Sequence, residues 1–210
     1  MTRLNMIAVC LSAVLLSGCV GKVFETTPPK PRYLFSAAAM ETLEGDPVGW
    51  SLVVETPKAA RAYDTTKIAV SRTSGRIEYF ANGEWAGRAP RVVQTALVES
   101  FEDSGRILSV GDANALPLSD LKLQTDLRRI DLDVSNGGAV ARLDIYARLT
   151  NGRGKIFAAR RFQATAPADA SSGDDVAAAF ETSFETIVVD LVPWALAKGE
   201  AAMAPTEAGA

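Results

Sequence analysis

The sequence predicts an α+β domain, a two-layer sandwich in which a mixed, largely antiparallel sheet carries two main helices on one face. Three observations point to it. A helix-period stripe at residues 90–103 lies between short strand candidates, three later segments alternate apolar and polar residues across Asn-Gly turns, and a long apolar stripe closes the chain at 173–197. With 48% hydrophobic residues and 22 Lys and Arg against 25 Asp and Glu, the 210 residues have the balance of a globular protein.

The chain opens with an export pattern. Arg3 supplies a positive charge, residues 6–16 are almost wholly apolar, and Ser17 and Gly18 are small, so residues 1–18 read as a signal peptide. The run is too short for a membrane span, which takes about 20 apolar residues. Leu16-Ser17-Gly18-Cys19 has the form of a lipobox, which makes Cys19 the lipidated first residue of an exported protein. Each buried methylene of an acyl chain adds about 0.8 kcal/mol of membrane affinity, so several chains make a stable anchor. Against this stands the plainer reading of Cys19 as an ordinary residue at the start of a soluble domain. Val20 stands where an Asp would favour inner-membrane retention, which leans the address toward the outer membrane. Cys10 lies within the signal segment, so no thiol remains for a disulfide, a metal or catalysis. Residues 19–32, with Pro28, Pro29 and Pro31, read as a flexible tether.

A single folded domain is expected over 33–198. Strand candidates fall at 33–37, 50–55 and 67–72, and Thr73-Ser74-Gly75 turns the last into 76–80 as a hairpin. A helix follows at 90–103: Pro90 suits its first turn, Val93, Leu97 and Phe101 recur every four residues, and Ser104-Gly105 stops it. A strand at 106–110 comes next. In the meander, Ile130, Leu132 and Val134 alternate with Arg129, Asp131 and Asp133, and Leu143, Ile145, Ala147 and Leu149 alternate with Arg142, Asp144, Tyr146 and Arg148. Asn136-Gly137-Gly138 and Asn151-Gly152 supply its turns, and the third strand runs over 155–165. The mixed charges read as cross-strand pairs on a solvated face, with no basic patch. The closing helix puts Val176, Phe180, Phe184, Ile187, Val188, Leu191 and Trp194 on one side, with a kink or end expected near Pro193. Residues 199–210 read as a disordered tail.

Chemistry is excluded more firmly than it is indicated. The chain has no histidine, the usual general base and the commonest metal ligand. Carboxylates pair at Asp131 and Asp133 and at Asp174 and Asp175, but the first pair belongs to a strand's polar side and the second suits a helix N-terminus. Neither G-x-x-x-x-G-K-[ST] nor G-x-G-x-x-G occurs. No cofactor or metal is therefore expected, and a pI near 5.1 argues against nucleic acid.

The stretch 67–72, then 77–86, then Pro90, resembles the ABC-type transport auxiliary lipoproteins, which include the PqiC-type outer-membrane lipoproteins. The family pattern is a strand ending in Arg, a hairpin strand of the form Y-x-x-N-x-W-A-x-x-P, and a helix closed by Ser-Gly. Tyr79, Asn82, Trp85, Ala86, Pro90, Ser104 and Gly105 match it. The resemblance implies a periplasm-facing lipoprotein on the outer membrane, an accessory to an MCE-type ABC transporter of phospholipids or other hydrophobic molecules. Its partner would be the MCE-domain subunit, which it binds and tethers or from which it receives lipid, while ATP is hydrolysed elsewhere. The family brings no catalytic residues, so the chain is expected not to be an enzyme, and a homo-oligomer stays open. Tyr79, Phe80, Asn82, Trp85 and Pro90 are the candidate partner-binding or motif residues. Trp85 has two readings: a core cap over Phe80 and Leu97, or an exposed anchor for a partner. Two other roles stay in view, a stand-alone structural or assembly lipoprotein and a lipid carrier, which would need an apolar cavity where the alternation predicts a filled core.

Overall fold

The computed structural model describes residues 29–36 and 43–205. The signal segment, Cys19, most of the tether and the tail from 206 lie outside them. The described residues from Pro31 onward make one compact unit. Its order is β1 (Arg32–Tyr33), β2 (Leu52–Val54), β3 (Lys58–Ala59), β4 (Lys67–Thr73), β5 (Arg76–Trp85), α1 (Ala89–Asp103), β6 (Val110–Gly111), β7 (Leu121–Asp133), β8 (Ala139–Asn151), β9 (Ile156–Ala168) and α2 (Gly173–Met203). This is the expected α+β sandwich, with the strands in one mixed sheet.

β7 is the spine. Along one edge it pairs antiparallel with β8, from Leu121 against Asn151 to Asp133 against Val140, and β8 pairs antiparallel with β9. Along its other edge three short strands succeed one another, all parallel to it: β2 beside 121–123, β3 beside 126–127 and β4 beside 131–133. β4 continues into the β5 hairpin, β1 adds parallel to the far end of β5, and β6 adds to β2.

The meander is longer than its sequence signal. β7 starts at Leu121, well before the alternation beginning at Arg129, because a register shift between Leu127 and Arg129 reverses the alternation midway. Leu121, Leu123 and Leu127 are buried before the shift, and Ile130 and Leu132 after it. Gly137 and Gly154 close the two turns at φ 77° and 81°, a backbone region that side chains with a Cβ enter at a cost. In the second turn the Asn151 side chain accepts from the N–H groups of Arg153 and Lys155.

Elsewhere the strands are shorter than expected. The candidate at 33–37 is the two-residue β1, and that at 106–110 is the two-residue β6. β5 runs through Trp85 instead of ending at Phe80.

Both helices bury their apolar stripes in one cluster with the sheet. Ser104 and Gly105 follow α1, Gly105 at φ 65°. Ser172 caps α2 by accepting from the Asp175 N–H at 3.2 Å, with Asp174 and Asp175 in the first turn, where carboxylates oppose the helix dipole. α2 neither ends near Pro193 nor stops at Lys198 but continues to Met203. A proline inside a helix costs about 3 kcal/mol or more. Ala195, Leu196 and Gly199 offset this by carrying the buried stripe past it. At Gly199 the helix lies so close to Trp50 that a Cβ would come 2.2 Å from its ring.

Candidate partner-binding groove

The family-like residues of β5 occupy an irregular stretch. Lys67 of β4 pairs with Glu84, yet Ala69, only two residues on, pairs with Tyr79. Residues 80–83 are therefore looped out of the ladder, a wide bulge that re-aims their side chains. Gly83 and Gly173 leave room for Tyr33: a Cβ would come 2.6 Å from its ring at Gly83 and 2.5 Å from its hydroxyl at Gly173. The hydroxyl donates to Asp174 Oδ1 at 2.9 Å, so β1 is fixed to the hairpin and to the start of α2 together. Ser36 adds its N–H to the Glu181 carboxylate. Burial pushes the Glu181 carboxyl above the usual carboxylate range, outweighing that hydrogen bond, which lowers it.

The bulge forms one wall of a groove of about 710 Å3. Val70 and Leu132 make its floor, Phe80 and Asn82 stand on one side, and Ala168, Asp169 and Ala170 on the other. Tyr79 borders it, but its side chain follows Ala69 onto the other face, where its hydroxyl donates to the Ala62 carbonyl. Phe80, Val134, Ala139 and Ala168 are half-buried against the main core, so the groove is an open end of the apolar interior. Its rim is polar but internally matched. Glu78 lies between Arg72 and Arg76, and the hydrogen bond from Arg72 holds its carboxyl below the usual range. The Ser171 hydroxyl and N–H do the same for Asp169.

The candidate residues separate. Tyr79, Phe80 and Asn82 line the groove. Tyr79 is 43% exposed, with the Lys67 ammonium 5.2 Å from its ring. Trp85 is buried, so its ring offers a partner no surface. Phe35 packs at 5.2 Å and Phe180 meets it edge-on at 5.2 Å, while Phe35 stacks on Phe184 at 4.7 Å. These rings are its aromatic neighbours, in the same core cluster as Leu97. Pro90 is buried in the first turn of α1. Cys19 lies outside the described residues.

The paired carboxylates are tied to structural partners. Ser71 donates to Asp131, and Arg142 bridges Asp131 and Asp133. The face is less solvated than its alternation suggested: Asp131 and Asp144 are buried, the latter gripped by Arg161 at 2.9 and 2.6 Å. Long arginine side chains cover the carboxylates they neutralise. Hydrogen bonds from the Ser135 hydroxyl and N–H hold Asp133 below the usual range. Burial, then the nearby Asp131 charge, pushes the Tyr63 hydroxyl up.

The groove itself is not legible in the sequence because Leu132 of its floor and Ala168, Asp169 and Ala170 of its far wall are distant in the chain from the hairpin. The one local signal, Asn82-Gly83 inside a strand pattern, marks a bulge or close backbone approach.

The family model described as ABC-type transport auxiliary lipoprotein component matches residues 33–192. The crystal structure of a Xanthomonas campestris protein of family model DUF330 is 30% identical with a TM-score of 0.69, covering 83% of this chain and 96% of that one. An uncharacterised protein of known crystal structure shares the fold at 14% identity and TM-score 0.59, covering 79% of this chain and 97% of its own. An uncharacterised curated protein of Bradyrhizobium diazoefficiens is 26% identical over 144 residues, which are 69% of this chain and 39% of the relative. The chain thus spans about two-fifths of that relative's length.

Proposed function

Because this chain belongs to the family of ABC-type transport auxiliary lipoprotein components, we propose that it serves an MCE-type transporter of phospholipids or other hydrophobic molecules as its periplasm-facing accessory. In this reading Cys19 carries the acyl anchor in the outer membrane, and the folded unit binds and tethers the MCE-domain subunit. ATP hydrolysis belongs to another polypeptide. The observation that carries the binding role is the groove at the bulge of β5, where Tyr79, Phe80 and Asn82 stand beside an open end of the core. The half-buried Phe80 ring beside that apolar floor, with the exposed Tyr79 ring next to it on the sheet face of Ala69, is the composition of an interface anchor.

Envelope crosslinking of the intact lipidated protein, with Cys19→Ser and Tyr79→Ala forms as controls, tests the reading by mass spectrometry of the captured proteins. It expects an MCE subunit with the wild type and a several-fold loss with Tyr79→Ala. Recovery of porins, assembly factors or peptidoglycan alone would replace it with a structural role in the envelope.

A further inference from the structure

Charge is divided between the two layers. Residues 121–168, the meander and its turns, hold nine Lys and Arg against four Asp. The two helices hold two cations against nine carboxylates. The formal total of −3 hides this division, because the opposed charges cancel along the chain but not across the fold.

Both helices pack into the core on one face of the sheet, and among the described residues no helix covers the other face. There Asp126 pairs with Arg148 at 2.7 Å, Asp144 with Arg161 at 2.6 Å, and Asp131 and Asp133 with Arg142. Within the described residues those four aspartates account for every acid of the meander and engage three cations; Lys122 and Arg160 pair with Glu55 and Asp190, and four cations are left over. Arg128, Arg129, Arg153 and Lys155 are exposed and, among the described residues, make no ion pair within 4.0 Å, Arg129 acting on Asp133 only through its charge, which helps to lower that carboxyl. Arg128 and Arg148 both lie over the Tyr146 ring, at 4.4 and 4.6 Å. At the β8–β9 turn, Arg153 and Lys155 precede an isoleucine, Ile156, that is 55% exposed, and the Lys155 ammonium is 5.0 Å from the Phe157 ring.

These cations do not converge on a point. They are spread along strands of 13 residues, about 43 Å of extended chain, with apolar and aromatic side chains among them. A site for one anionic side chain gathers its donors around that group. Dispersed cations with an exposed aliphatic tip match a plane of anionic headgroups above an apolar layer. We infer that the uncovered face of the meander, led by the 151–157 turn, lies on an anionic phospholipid surface. This contact is separate from an acyl anchor and from any transporter partner, and it leaves the acidic helices turned away from the membrane.

The test uses the chain from residue 19 onward as Cys19→Ser, so that no acyl group contributes, in flotation with vesicles of phosphatidylcholine alone or mixed with phosphatidylglycerol. Flotation is expected with the mixed vesicles only, with release at high salt, where exposed charges are screened. A combined Arg128→Glu, Arg129→Glu, Arg153→Glu and Lys155→Glu variant should lose binding at least tenfold with an unchanged melting curve. If that variant fails to fold, Arg153→Gln with Lys155→Gln, confined to one exposed turn, should still weaken flotation several-fold. Absence of flotation at low salt, or flotation indifferent to these substitutions, overturns the inference. Self-association that disappears on charge reversal, without vesicle binding, would overturn it in favour of the acidic helices of a second copy.

Discussion

The two edges of β7 are built by different means. On one edge, β8 follows it through a tight turn along its whole length with a single register shift, so pairing is local. On the other, β2, β3 and β4 pair with two or three residues each and reach it from far away in sequence. Short parallel pairings leave little hydrogen bonding per strand, so side-chain clusters must hold that edge: Trp85 with Phe35 and Phe180, Trp50 under Gly199, and Ser51 with Asp120. The groove opens where this patched edge meets the end of the meander, and the uncovered charged face belongs to the meander itself. The groove thus lies at the irregular edge of the sheet, and the charged face on its regular part.

Removing the largest cluster should expose the difference most. Trp85→Ala is expected to cost about 3–5 kcal/mol, read by denaturant unfolding, while the amides of β8 stay the slowest to exchange with deuterium. A uniform loss of protection would mean that the edges are not separable. Arg142→Ala strikes where they join, because Asp131 accepts from Ser71 of β4 and from Arg142 of β8. A buried carboxylate left with one partner should cost about 2 kcal/mol or more, less than a fully buried pair because the Arg142 side chain is 24% exposed. Asp131→Asn in the same background should restore part of it.

Gly199→Ala and Gly83→Ala are overpacking tests on the patched edge alone, each expected to cost about 1–3 kcal/mol. Equal costs for Gly138→Ala in the meander turn, where a Cβ meets nothing within 4 Å, would contradict the account. In acid, the Ser51 hydroxyl and N–H hold the Asp120 carboxyl below its usual range. Its stabilisation is complete above the unfolded carboxylate value of about 4 and is lost as pH falls through the lower folded value. Asp120→Asn should flatten that acid limb of the stability curve. Glu181, pushed up by burial, works oppositely, costing stability as pH rises through its folded value. The smallest effect is expected at Tyr79→Ala, within about 0.5 kcal/mol on melting, with its loss appearing only in partner capture.

Legibility follows the same division. The antiparallel meander and both helices could be read because their signals are periodic and their turns lie in the chain. β3 could not, since two residues carry no period and their pairing depends on a distant spine, and β6 was legible only as a longer candidate at 106–110. The first half of β7 was hidden by one bulge that reversed the alternation. In the groove, Tyr79, Asn82 and Trp85 stood out as a pattern, but only packing separated the exposed ring from the buried one. The charge division was countable in the sequence, yet it acquires meaning only when the helices are assigned to one face.

The seat of Tyr33 has a mechanical consequence. β1 enters parallel to β5, with Glu84 donating to the Pro31 carbonyl and Ala86 to that of Tyr33. Tension applied from the N-terminal side therefore runs along the strand and strains these bonds together, in shear, instead of peeling them one after another. The tyrosine ring, set against Gly83 and Gly173 and fastened to Asp174, acts as a catch that passes part of the load to α2. A domain held by one end of its chain thereby resists extraction at the point where a pull would first be felt.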